Sequence, residues 1–245
     1  MCTVSVIMNC HNGERFLKKS LDSLLNQSYK NWELVFFDNV SKDKSVEIVN
    51  SLRDKRIKIF RSKKYLKLYR ARNLAIRKAS GKLICFLDTD DLWKKDKLQK
   101  QISIYNKKKY NMIFCNYFIK NEVKKKTYIF EKNQLPSGYI TQKLLDKNLI
   151  GIHTVMINKK IFRKFSFNSM YEIIGDYDFF LKLSLKEKFY SIQKPLATYR
   201  HHGKNFSLKI DVYLKELLKW KNINKKKFKN FDLSRFNLQL LKIRI

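Results

Sequence analysis

The sequence predicts an α/β protein built on a mostly parallel sheet flanked by helices, and three observations carry that expectation. Apolar strand-like runs alternate with helical stripes from residue 4 to residue 118, and no linker rich in Pro, Gly or Ser and no internal repeat interrupts them. The run Leu83-Ile84-Cys85-Phe86-Leu87 then ends abruptly in Asp88, Asp90 and Asp91. Strand–helix alternation favours right-handed crossovers and parallel pairing, and open sheets of that kind bind ligands beyond the carboxyl ends of their strands.

Val4 to Met8 is the first strand; no basic segment precedes it and polar Asn9 to Asn12 follow, so it does not read as a signal peptide. Phe16, Leu17, Ser20, Leu21, Leu24 and Leu25 share one helical face. Trp32 to Phe37 makes a second strand closing on Asp38, and Val46, Val49 and Leu52 stripe the next helix. Ile57 to Phe60 is a third strand, Ala71 to Ala79 a helix with Leu74, Ala75 and Ala79 inward, and Lys82 to Leu87 a fourth strand apolar enough to be buried on both faces. A helix bearing Leu98, Ile102 and Tyr105 leads to the strand Met112 to Phe118.

Beyond that strand the periodicity degrades. Asn121 to Lys132 reads as a basic hairpin or loop, Pro136-Ser137-Gly138 as a turn, Val155-Met156-Ile157 as a short buried strand and Tyr177 to Lys186 as a helix. Leu208 to Ile245 reads as a basic amphipathic helical tail, with Ile210, Tyr213, Leu214, Leu217 and Leu218 on its apolar side. The expected division is therefore a catalytic-type domain over 1–207 and a tail over 208–245.

A chain of 245 residues that is 44% hydrophobic and 14% aromatic can bury a full core, which argues against extensive disorder. Its apolar runs fall short of the roughly 20 residues that span a bilayer, so it is expected to be soluble or to lie on a membrane surface. The formal charge of +33 admits nucleic acid, anionic lipid or acidic small substrates as partners. No stacking-aromatic motif or Arg-rich stripe accompanies that charge, so specific nucleic-acid binding is not expected. Cys2, Cys10, Cys85 and Cys115 lack Cys-x-x-Cys spacing, and the last three lie in strand-like runs as small hydrophobes. A reduced, cytoplasmic compartment fits that usage.

The residues that carry chemistry begin with Asp88-Thr89-Asp90. Hard oxygen ligands two apart at a strand end suit Mg²⁺ or Mn²⁺, which keep further positions for water and substrate phosphates. The same pattern also occurs in turns and caps. Asp91 is expected to cap a helix beginning near Leu92.

Several separated motifs now accumulate in order: Val4-Ser5-Val6-Ile7 with Asn12, Ser23 to Ser28, Phe37-Asp38-Asn39-Val40-Ser41-Lys42-Asp43, Ala71-Arg72-Asn73, Phe86 to Asp91, Gly175-Asp176-Tyr177-Asp178, and Tyr199 to Ser207. Together they resemble the family 2 glycosyltransferases of the GT-A fold, the bacterial group that builds cell-surface polysaccharide and lipopolysaccharide, over residues 3–207. The resemblance implies a divalent-metal-dependent, inverting enzyme with a nucleotide-sugar donor, most simply UDP-linked, and a glycan or lipid-linked acceptor. Among its rivals are a silent nucleotide-sugar-binding module, a basic nucleic-acid-binding protein and a nucleotidyltransferase.

The resemblance also implies roles for single residues. Asp38 would accept hydrogen bonds from base or ribose, or else cap the Ser41–Asp43 turn. Asn39 stands where relatives often carry a second aspartate, which leaves bases other than uracil open. Arg72 would lie near the nucleotide, or be a solvated helix arginine. Asp90 would ligate the metal directly, Asp88 through ribose or a metal-bound water, and His202 would be a late metal ligand or an ordinary loop histidine. Asp176 would be the catalytic base, although many relatives have Glu where this chain has Gly175, with Asp178 the runner-up for that role or a helix first-turn charge. The tail's lysines beside its apolar face could contact an anionic membrane, placing the protein peripherally on the inner face.

Overall fold

The structure is a computed structural model that describes residues 3–236. In chain order its strands are β1 (Val4–Cys10), β2 (Trp32–Asp38), β3 (Ile57–Arg61), β4 (Leu83–Phe86), β5 (Leu92–Trp93), β6 (Met112–Asn121), β7 (Lys126–Ile129), β8 (Met156–Asn158) and β9 (Phe189–His201). The helices are α1 (Glu14–Leu25), α2 (Ser45–Ser51), α3 (Leu68–Lys78), α4 (Lys97–Lys108), α5 (Thr141–Asp146), α6 (Gly175–Ser184) and α7 (Ile210–Asn224). One sheet runs β3-β2-β1-β4-β8-β6-β9-β5, with β7 paired to β6. The β3 to β4 half is wholly parallel, β8 runs antiparallel between β4 and β6, and β6 and β9 pair in parallel.

Alternation along the parallel strands divides the core into two layers. Leu34 and Phe36 face α1 and α4 with Leu17, Leu21, Leu98 and Ile102, whereas Val35 and Phe37 face α3 with Ala71, Ala75 and Ile76. That is the period-two consequence of a strand buried on both faces. Among the described residues, no helix is long and apolar enough to cross a membrane. Cys10, Cys85 and Cys115 are buried free thiols, and burial pushes the latter two up to about 11. Met1, Cys2 and the end of the tail, 237–245, lie outside the described residues.

The structure departs from the sequence expectations in three places. β9 is a long strand that periodicity did not reveal, because Gln193-Lys194-Pro195 interrupts its alternation and its register against β6 shifts between Cys115 and Tyr117. An irregularity is where a strand tolerates proline. Second, no helix begins at Leu92: Leu92 and Trp93 pair with Thr198 and Ala197, and α4 starts only at Lys97. Tertiary pairing has overridden the local capping signal, so Asp91 is not a helix cap.

The third departure concerns the tail. The buried stripe of α7 is Leu217, Trp220 and Asn224, with Tyr213 and Leu214 partly covered, while Ile210 and Leu218 remain exposed. Trp220 packs near Tyr177, Phe228 and Phe236, so α7 shares its core with α6. Glu216 strengthens that contact by accepting the backbone N–H groups of Ile173 and Ile174 at 2.9 and 3.1 Å, just before α6 begins.

Candidate active site

Two strand ends and the start of a helix supply the candidate site. At the first, Asp38 closes β2 almost fully buried; its Oδ1 accepts the Ser41 N–H at 3.2 Å and its Oδ2 lies 4.0 Å from Arg61 Nε. Asp38 therefore caps the turn and keeps one oxygen toward an exposed arginine. Val40 adopts φ 63°, a left-handed conformation that is an outlier for a β-branched residue and is tolerated where surroundings over-determine it. Those surroundings are dense. Lys42 N–H donates to Asn12 Oδ1, Asn12 N–H to Ser41 Oγ, and Glu14 N–H to Asp43 Oδ2.

Asn39 is buried, and Leu66 uses both ends of its amide: Nδ2 donates to Leu66 O at 2.8 Å and Oδ1 accepts Leu66 N–H at 3.0 Å. Its side chain fixes the loop after β3, which carries exposed Tyr65 against exposed His11 with ring centroids 4.9 Å apart. Nothing in the sequence pointed to this edge-to-face pair. Asn39→Asp removes a donor and sets a carboxylate against a buried carbonyl. We expect it to cost about 1–3 kcal/mol, measurable as a lowered denaturant midpoint.

The second strand end carries the Asp-x-Asp motif. Arg72, only 2% exposed, reaches from α3 to Asp88, Nη2 to Oδ1 2.9 Å, and its guanidinium is framed by the rings of Tyr69, Phe86 and Phe167. It is thus a buried arginine committed to the motif, not a solvated one. Burial pushes the Asp88 carboxyl up, against the lowering effect of Arg72. Asp90 Oδ2 lies 3.1 Å from His202 Nε2 and accepts Asn205 Nδ2 at 3.3 Å.

The loop after β9 is built to present His202. Asn205 donates to Arg200 O and accepts the His202 N–H, both at 2.8 Å, and Tyr199 and Ser207 hydroxyls meet at 3.1 Å across the loop. Phe16 packs on the His202 ring at 4.6 Å, with the guanidinium of buried Arg200 over its own ring at 4.7 Å. Arg200 and Asn205 fall within the Tyr199 to Ser207 motif, but the sequence assigns neither of them nor Phe16 a role at the site. From the sequence Phe16 is expected only as one member of the helical face it shares with Leu17 and Leu21.

Behind the motif, Asp91 is buried; its Oδ1 accepts Arg200 N–H at 3.0 Å and its Oδ2 lies 3.2 Å from His153 Nδ1. Burial pushes the imidazole down to about 3 and the Asp91 carboxyl well up. Asp91 thereby anchors the end of β9 to the motif from inside.

These residues fit a divalent cation. Asp90 Oδ2 and His202 Nε2, within hydrogen-bond reach of one another at 3.1 Å, offer a carboxylate oxygen and an imidazole nitrogen, donor types that suit Mg²⁺ or Mn²⁺. Among the described residues, no three or more His, Cys, Asp or Glu side chains form a complete metal cluster.

The third component is Asp176, partly exposed in the first turn of α6. Its Oδ1 accepts Tyr177 N–H at 2.8 Å and faces the Tyr69 hydroxyl at 3.1 Å. Burial pushes its carboxyl up, Arg72 pulls it down. Asp178 is fully buried and engaged by Lys182 at 2.8 Å and Trp220 Nε1 at 2.9 Å, so it joins α6 to α7 and faces no cleft.

The sequence model described as glycosyl transferase family 2 matches residues 5–169. The chain belongs to glycosyltransferase family 2. Its relatives include the Escherichia coli UDP-Glc:alpha-D-GlcNAc-diphosphoundecaprenol beta-1,3-glucosyltransferase WfgD, 35% identical over 182 residues that cover 74% of this chain and 69% of WfgD. Among solved structures, the Staphylococcus aureus TarS 1-349 complex with UDP-GlcNAc superposes with a TM-score of 0.71 at 16% identity, over 90% of this chain and 67% of that one. The Pyrobaculum calidifontis mannosyltransferase PcManGT, solved with GDP-Man and Mn²⁺, gives 0.69 at 14% identity, over 98% of this chain and 68% of that one. At those identities the structural likeness establishes the GT-A fold alone.

Proposed function

We propose that this glycosyltransferase moves a sugar from a UDP-linked donor to a hydroxyl of a glycan or lipid-linked acceptor in bacterial cell-surface glycan synthesis, inverting the anomeric centre in one displacement. The observation that carries the reading is the juxtaposition along α3, whose Arg72 holds Asp88 and whose Tyr69 meets Asp176. A donor-side carboxylate and a candidate base thereby hang from one face of one helix. The WfgD match supports a UDP-sugar donor and a diphosphate-linked lipid acceptor.

On this reading the base of the nucleotide lies against His11 and Tyr65, with Asp38 and Arg61 near its polar edge. Asp88 takes the ribose or a metal-bound water. Asp90 and His202 are the residues that would hold Mn²⁺ or Mg²⁺, which when bound would supply Lewis-acid neutralisation of charge on the diphosphate. The acceptor oxygen attacks the anomeric carbon from the face opposite the nucleotide; its proton passes to Asp176 as the carbon–oxygen bond to the diphosphate breaks. A panel of nucleotide sugars with Mn²⁺ or Mg²⁺, scored for release of the nucleoside diphosphate, tests class and donor together. Turnover of UDP-sugars is expected; turnover of none in either metal would contradict the reading.

Membrane contact belongs to the same proposal. Phe206, Leu208, Ile210, Leu218 and Ile223 are each 37–57% exposed around α7, among exposed Lys204, Lys209, Lys215 and Lys219. Apolar side chains within a basic surface suit an anionic bilayer, where lipid-linked acceptors are held. Deleting the helix would open the core at Trp220, so point changes are the clean probe. Ile210→Ser with Ile223→Ser should weaken sedimentation with phosphatidylglycerol vesicles several-fold, and raised salt should weaken wild-type binding. Unaltered binding by the folded double variant would remove membrane contact from the account.

A further inference from the structure

The carboxylate read above as the base is gripped on one oxygen only. Tyr177 N–H and the Tyr69 hydroxyl both address Asp176 Oδ1, and Oδ2 has no protein partner among the described residues. The Tyr69 hydroxyl also lies 2.6 Å from Ile173 O. A phenol has one proton, so it can serve only one of these two acceptors fully at a time. Facing an ionised carboxylate it forms the stronger, charge-assisted bond; facing a neutral carboxyl it can turn to the carbonyl with little loss.

Space has been made for that ring. A Cβ placed on Gly175 would lie 2.5 Å from Tyr69 ring carbons, so Tyr69 lies directly on the backbone of the residue preceding Asp176. The ring itself is buried, wedged between Gly175 and Phe167. Three residues along the same helix, Arg72 holds Asp88 at 2.9 Å, which ties the placement of the two carboxylates together.

We propose that Tyr69 is a positioning residue for the transfer step: it fixes Asp176 through Oδ1, leaves Oδ2 as the atom that receives the acceptor proton, and switches to Ile173 O once that proton has arrived, with Gly175 supplying the room. The inference rests on Asp176 being the base. The charged and titratable groups acting on Asp176 are Arg72 and Tyr69 of α3, Asp88 beyond β4, Tyr117 of β6 and Tyr213 of α7.

Tyr69→Phe keeps the ring and removes the hydroxyl. Folded Tyr69→Phe should bind UDP-sugar within about twofold of wild type but lose kcat about tenfold, the scale of a hydrogen bond to a charged group. A lost donor to the ionised form raises the Asp176 pKa, so the acid limb of kcat against pH should move up by about one unit. Gly175→Ala, which forces the ring off its seat, should move the limb in the same direction. Wild-type kcat with an unmoved limb in Tyr69→Phe would overturn the proposal; a lowered kcat with an unmoved limb would mean packing alone and overturn it equally. Asp176→Asn, assayed in parallel, separates the two levels. If it transfers at near wild-type rate the base reading itself has failed; if it is inactive while Tyr69→Phe is normal, only the role of Tyr69 has.

Discussion

Asp176→Asn will retain donor binding and lose transfer by about 10²–10⁴-fold, the usual worth of a positioned general base. The amide can still occupy the first turn of α6 and meet the Tyr69 hydroxyl and the Tyr177 N–H, but it cannot accept the acceptor proton. On the proposed reading donor affinity is set elsewhere, at Asp38, Asp88 and Asp90, so calorimetry should register little change. Wild-type activity should have its acid limb above that of an ordinary aspartate, because burial raises the Asp176 pKa. Activity therefore falls as pH drops through that raised value. A near-normal rate in Asp176→Asn would move the base role to an acceptor group, since Asp178 is buried and bonded to Trp220.

Asp90→Ala will erase the contribution of Mn²⁺ to donor affinity. Loss of partners that merely orient metal ligands commonly costs 10–100-fold in metal affinity, so removing a direct ligand should cost at least about 100-fold. The fold should survive, because the Asp90 side chain is 27% exposed and, among the described residues, bonds only to the loop that carries His202 and Asn205. Equal Mn²⁺-dependent donor affinity in wild type and variant would sink the metal assignment. His202→Ala should follow in the same direction.

The parallel half of the sheet was legible because its physics is local: apolar runs closing on polar residues, and helices with a single stripe. Leu34 to Phe37 alternate between the two core layers as such a run must. β9 was not legible, since Lys194 and Pro195 break its alternation and its partners come from β6, far away in sequence. The C-terminal helix was only half legible. Its apolar residues were visible, but which of them bury is decided by Trp220 meeting Tyr177 and Phe228, so Leu218 and Ile210 stay exposed.

At the site the motif residues converge, yet the side chains that hold them were not visible from spacing. Tyr69 and Asp176 lie 107 positions apart, and Asp90 and Asn205 lie 115 apart. Gly175 was the one available signal. Its departure from the family pattern marked a place where something other than a glutamate side chain fills the space, and the Tyr69 ring fills it. Asn39 is a second departure whose meaning only the tertiary contact with Leu66 supplies.

The most direct measurement of the central claim is the anomeric configuration of the transferred sugar, read by proton NMR before mutarotation obscures it. A single displacement assisted by one carboxylate, Asp176, converts an α-linked UDP-sugar donor into a β-linked product. An α-linked product would require a second displacement or a front-face attack, and would contradict the assignment of Asp176 as the sole protein base.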